Sequence, residues 1–102
     1  MIYRVLYTAD VMGDLAEKVD YLREQGAGEQ TISKWFEGLY DRIDSLSEMP
    51  RAYGVDPLAS EQHGYLIRKL TYKKHIVRYR VDASERVVHV LALIHGARQA
   101  DA

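Results

Sequence analysis

The 102-residue chain has no cysteine, two prolines, one tryptophan and one phenylalanine. Without thiols there is no disulfide framework, thiolate metal site or dithiol redox centre, so stapled mini-domains and zinc-finger folds are excluded. Long apolar runs are also missing. The opening MIYRVLYTAD meets Arg4 and Asp10 before it reaches the length of a signal peptide or a membrane span. A cytoplasmic chain without a membrane partner is the expectation. The seven glycines are scattered, and none sits in the strand-to-helix turn of a P-loop, dinucleotide fingerprint or nucleophile elbow. No cofactor is expected.

Net charge is small, at −1, but its distribution is uneven. Residues 1–62 carry 6 Lys plus Arg against 12 Asp plus Glu, and residues 63–102 carry 8 against 3. A basic half is the footprint of a polyanion or an acidic partner, or of a solvated face. A chain of this length buries roughly two-thirds of its unfolded surface around one core, so residues 1–102 read as a single domain.

Residues 2–7, IYRVLY, alternate and are rich in β-branched and aromatic types, predicting a short first strand. Thr8 and Asp10 offer caps to a helix whose apolar stripe is Val11, Met12, Leu15, Ala16, Val19 and Leu22. After the Gly26-Ala27-Gly28 break, Ile32, Trp35, Phe36, Leu39, Ile43 and Leu46 draw a second stripe, which Pro50 ends. Residues 51–63 lack a period and read as a surface loop. Strands are predicted at 65–72, 75–81 and 86–95, linked by Lys73-Lys74 and by residues 82–85, which makes an antiparallel meander. The fold class is therefore α+β in the order β-α-α-β-β-β, a helical hairpin on one face of a twisted antiparallel sheet.

Alternation places Val77, Tyr79 and Val81 toward the helices and Arg78 and Arg80 on the open face. Arg68 or Lys69 from the neighbouring strand and Lys73 and Lys74 from the turn add cations suited to phosphate or to an acidic segment. Unbroken alternation in the last strand sets His89, Leu91, Leu93 and His95 on one side, so both histidines are expected beside Arg78. His95 could then move a proton while Arg78, Arg80 and Arg98 supply charge, as cleavage of RNA through its own 2′-hydroxyl requires. A hydrogen-bonded structural histidine and a charge-solubilised sheet face are the alternatives. His89 and His95 lie roughly 20 Å apart in an extended strand, so no single metal ion bridges them.

The ordered set of Arg68 in the first meander strand, HIVRYRVD, and a last apolar strand closing in IHGARQ resembles the RelE/ParE superfamily of type II toxin-antitoxin modules, which includes plasmid-stabilisation systems. The resemblance implies a growth-inhibiting toxin neutralised by a cognate antitoxin in a hetero-oligomer. Its target would be DNA gyrase in ParE-like members, or messenger RNA in the ribosomal A site in RelE-like ones. Only the RNA-cleaving reading makes the chain an enzyme. Arg98 matches the arginine that RelE-like nucleases carry after the last strand, and His95 lies near a catalytic histidine of some relatives. Ile76 stands where RelE has an arginine, Arg68 and Lys69 stand loosely for its lysine pair, and the net charge is not that of an RNA-site ligand. The long helices favour the ParE-like branch, with His95 structural and Arg68, Lys69, Lys73, Lys74, Arg78, Arg80 and Arg98 as the target or antitoxin surface. A non-toxic relative that only represses transcription with its antitoxin is the third class.

Overall fold

The computed structural model of the chain describes residues 2–96. Strand β1 (Arg4–Tyr7) leads into helices α1 (Ala9–Glu24) and α2 (Glu29–Asp44), a short helix α3 (Pro57–His63) and strands β2 (Arg68–Tyr72), β3 (His75–Asp82) and β4 (Val87–His95). The expected α+β architecture holds, with the α1/α2 hairpin against a sheet of order β1-β4-β3-β2. β2, β3 and β4 form the antiparallel meander. β1 joins parallel to β4, making the sheet mixed. The long helical excursion after β1 frees that strand from the hairpin geometry that forces neighbours to run antiparallel.

Each helix is held by its apolar stripe. Val11 and Leu15 of α1 and Ile32, Phe36, Leu39 and Ile43 of α2 are buried against Leu70, Val77, Tyr79, Val88 and Val90 of the sheet. Fully burying one such side chain contributes about 1.5–3 kcal/mol, so the interlocked stripes, rather than helix propensity, hold the hairpin on the sheet. The α2 stripe extends to Leu46 because a 3-10 turn, Ser45–Ser47, continues the coil for three residues beyond Asp44. Thr8 caps α1, its hydroxyl oxygen accepting from the Val11 N–H at 3.3 Å. The same hydroxyl donates to the Val90 carbonyl at 2.9 Å and so ties the start of the helix to β4. Tyr72 reaches from β2 onto α2, donating to the Trp35 carbonyl at 2.7 Å. Gly38 permits that approach, since a Cβ there would run into the Tyr72 hydroxyl.

Two local expectations fail. The predicted loop contains α3, whose cues are all present in the sequence: Asp56 accepts from the Ala59 N–H at 3.1 Å, Pro57 opens the first turn, and Gly64 closes it at φ 74°. The second failure concerns β4. Arg78 pairs with Ala92 but Tyr79 pairs with Val90, so Leu91 is an extra residue, a β-bulge. A bulge reverses the side-chain alternation beyond it.

Candidate functional site

The face of the sheet away from the helices carries Lys69, Arg78 and Arg80. Lys69 and Arg78 are directly opposite each other in β2 and β3. The Arg78 Nε lies 3.2 Å from Asp56 Oδ2, and the Asp56 side chain is 2% exposed. Burial by itself would raise the Asp56 carboxyl, but the Ala59 N–H and the Arg78 charge outweigh it and hold the group below its ordinary range. Arg78 thus fastens the segment before α3 to the sheet. The Arg80 guanidinium stands 5.4 Å from the Tyr65 ring centre. Arg68 lies opposite Tyr79 and shares its helix-side orientation, and its Nη1 donates to the Tyr53 carbonyl at 2.7 Å. Of the expected cation set, Lys69 and Arg80 are the two on the open face that no carboxylate among the described residues neutralises at ion-pair distance.

The bulge corrects the placement of the histidines. His89 pairs with Arg80 and stays on the open face, but Leu93 pairs with Val77 and His95 with His75, which puts His95 on the helix side. Among the described residues the expected acid-base histidine and the two arginines of β3 lie on opposite faces of the sheet. Arg98 falls outside the described residues.

His95 instead edges a groove of about 900 Å³ between the sheet and the hairpin. Its floor is His75, whose ring meets those of His95 and Trp35 edge to face, each at 5.1 Å. Burial, then the nearby Lys18 charge, then His95 push the His75 imidazole down to about 4, so it is neutral at physiological pH. Its buried Nδ1 has no hydrogen-bond partner among the described residues. One wall comes from α1, where Asp14 and Glu17 face the groove and Lys18 places its Nζ 5.0 Å from the ring centres of both Tyr21 and Trp35. Asp14 also accepts from the Leu93 N–H at 3.0 Å, closing a strand edge that β1 is too short to reach.

Lys73 and Lys74 form the opposite rim. Lys73 adopts φ 53°, a left-handed conformation that glycine or asparagine takes at less cost. The groove therefore combines carboxylates, lysines, aromatic rings and a neutral histidine. It can grip a chain of mixed polarity through hydrogen bonds and stacking. His75, Trp35 and the α1 wall were not singled out from the sequence, although the alternation that turns Val77 and Tyr79 inward turns His75 inward as well. No group of three or more metal-ligating side chains occurs among the described residues, and no described helix is long and apolar enough to cross a membrane.

The solved structures include one of similar fold, the toxin-antitoxin complex RelBE2 from Mycobacterium tuberculosis. It aligns at 20% sequence identity and a TM-score of 0.60, over 93% of this chain and 99% of that one. No curated protein matches the chain. The family model of the ParE toxin of the type II toxin-antitoxin system, parDE, matches residues 5–100. That match takes in every helix and strand described above except the first residue of β1, Arg4, and the chain belongs to the ParE toxin family of type II toxin-antitoxin systems.

Proposed function

We propose that this toxin arrests growth by binding DNA gyrase and is neutralised by a cognate antitoxin. The supporting observation is the bulge at Leu91, which parts His95 from Arg78 and Arg80. In-line cleavage of RNA needs a proton acceptor, a proton donor and phosphorane-stabilising cations around one phosphate. With Arg78 committed to Asp56 and the arginines behind the sheet, the chain is better suited to holding a protein than to cutting a phosphodiester. The chemistry of a binding protein also places no demand on the histidine.

A test is supercoiling of relaxed plasmid by DNA gyrase with increasing toxin, with and without antitoxin. Inhibition that the antitoxin reverses, and that His95→Gln retains, supports the reading. Intact gyrase activity at large toxin excess sinks it. The second reading, ribosome-dependent cleavage of messenger RNA, draws on the groove, where His75 and His95 sit beside Lys73 and Lys74. In that case His95→Gln abolishes cleavage on programmed ribosomes and spares antitoxin binding. For the antitoxin, an acidic segment on the open face would engage Lys69 and Arg80, so Arg80→Glu weakens the complex more than a change at Arg78, which Asp56 already holds.

A further inference from the structure

A second concavity, which shares no lining residue with the histidine groove, lies where β1 meets α1 and α2. It has a volume of about 270 Å³ and is lined by Tyr7, Met12, Leu15, Tyr40 and Asp44. The Tyr7 and Tyr40 rings meet edge to face, 6.0 Å apart and at 72°. Leu15 is buried beneath, and Met12 is an exposed lip. The Asp44 carboxylate makes no hydrogen bond or ion pair with another described residue. Burial first and the Asp44 charge second raise the Tyr7 phenol above its ordinary range, so it remains a neutral hydroxyl at any physiological pH. Among the described residues no cation lines the notch, and the two helices around it carry nine carboxylates against four basic side chains.

Two aromatic faces, a thioether and one carboxylate at the end of an apolar slot match one kind of guest. A cation with a long apolar stem can lay the stem along Met12 and Leu15, bring its charge over a ring and end at the carboxylate. Arginine fits better than lysine, because its planar guanidinium stacks on a tyrosine ring while presenting a fork to both carboxylate oxygens. Asp44 also closes α2, where the helix dipole adds negative potential. We propose that this notch is an arginine-binding site through which the acidic helical face docks a basic segment of a protein partner. The site is independent of the histidine groove and of the identity of the toxin's target. It assigns the helical face to a cationic partner, opposite in sign to the segment that the basic sheet face would attract.

The test uses the full chain and three blocked tripeptides, acetyl-Ala-Arg-Ala-amide, its lysine analogue and its leucine analogue, titrated while following the Met12 methyl and the tyrosine ring signals by NMR. The expected result is saturable shifts of Met12, Tyr7 and Tyr40 with the arginine peptide, smaller ones with lysine and none with leucine. Asp44→Asn should weaken arginine binding about tenfold, and Tyr40→Ala, at an exposed ring, should do so without unfolding the chain. Equal shifts from the leucine peptide, or arginine binding indifferent to Asp44→Asn, would overturn the proposal. So would concentration-dependent dimerisation abolished by Asp44→Asn in sedimentation, which would assign the notch to a second copy of the chain.

Discussion

The two faces of the sheet solve opposite problems with the same strand. Toward the helices β3 presents His75, Val77 and Tyr79, a dry surface on which the one ionisable base stays neutral. Away from them it presents Arg78 and Arg80, and the charge that is nearly buried there is matched by a buried carboxylate. A polar group is thus accepted inside either by giving up its charge or by acquiring a partner, and the two solutions fail under different insults.

Breaking the ion pair should have the largest effect. Asp56→Ala removes the α3 cap and leaves Arg78 without its carboxylate, and should cost about 3–5 kcal/mol in urea unfolding. Adding Arg78→Met should restore a large part of it. If the double variant is as unstable as Asp56→Ala alone, the pair is not what fastens this segment.

The neutral histidine should show itself in pH. His75 titrates near 4 in the folded chain and at 6.5 when unfolded, so the unfolded chain takes up the proton first as pH falls. Stability that is fully present above 6.5 is lost between 6.5 and 4, by about 3 kcal/mol. His75→Phe should flatten that window. The contribution of Asp56 has the same sign but a lower window: its depressed carboxyl keeps its benefit down to about its ordinary value and loses it below. Acid unfolding curves of the wild type and His75→Phe that superpose between pH 6.5 and 4 would refute the assignment.

Smaller effects probe the seams. Gly38→Ala gains helix propensity but drives a methyl into the Tyr72 hydroxyl, so thermal unfolding should show a net loss of about 1 kcal/mol. In a Tyr72→Phe background that loss should shrink or change sign. Arg80→Ala, which removes a guanidinium standing over an exposed ring, should change stability by less than about 1 kcal/mol. A larger loss there would mean that the open face is held by more than the Asp56 pair.

The elements were legible because each leaves a local trace. The stripes Val11-Leu15-Val19 and Ile32-Phe36-Leu39-Ile43 are helix faces by spacing alone, and Val77 and Tyr79 are inward by alternation. Even α3 was written in Asp56, Pro57 and Gly64, though a seven-residue helix is too short to show a period. The candidate site was less legible. Alternation puts Arg78 and Arg80 on the open face, where they lie, but it leaves Arg68 and Lys69 undecided until the β2/β3 register selects Lys69, and it misplaces His95, because one extra residue at Leu91 is invisible in an apolar run where every side chain suits either face.

What the sequence by itself determined is the order of the main elements, the division into an acidic helical half and a basic sheet half, and most of the apolar core, Met12 of the first stripe being exposed instead. All three follow from side-chain chemistry and spacing. Tertiary structure alone decided that β1 lies parallel to β4, that Asp56 meets Arg78 across 22 positions, and that His95 joins His75 while Tyr7 and Tyr40 flank Asp44. These are meetings between segments far apart in the chain. Their register is set by how the whole sheet twists and packs beneath the helices, and no local pattern records it.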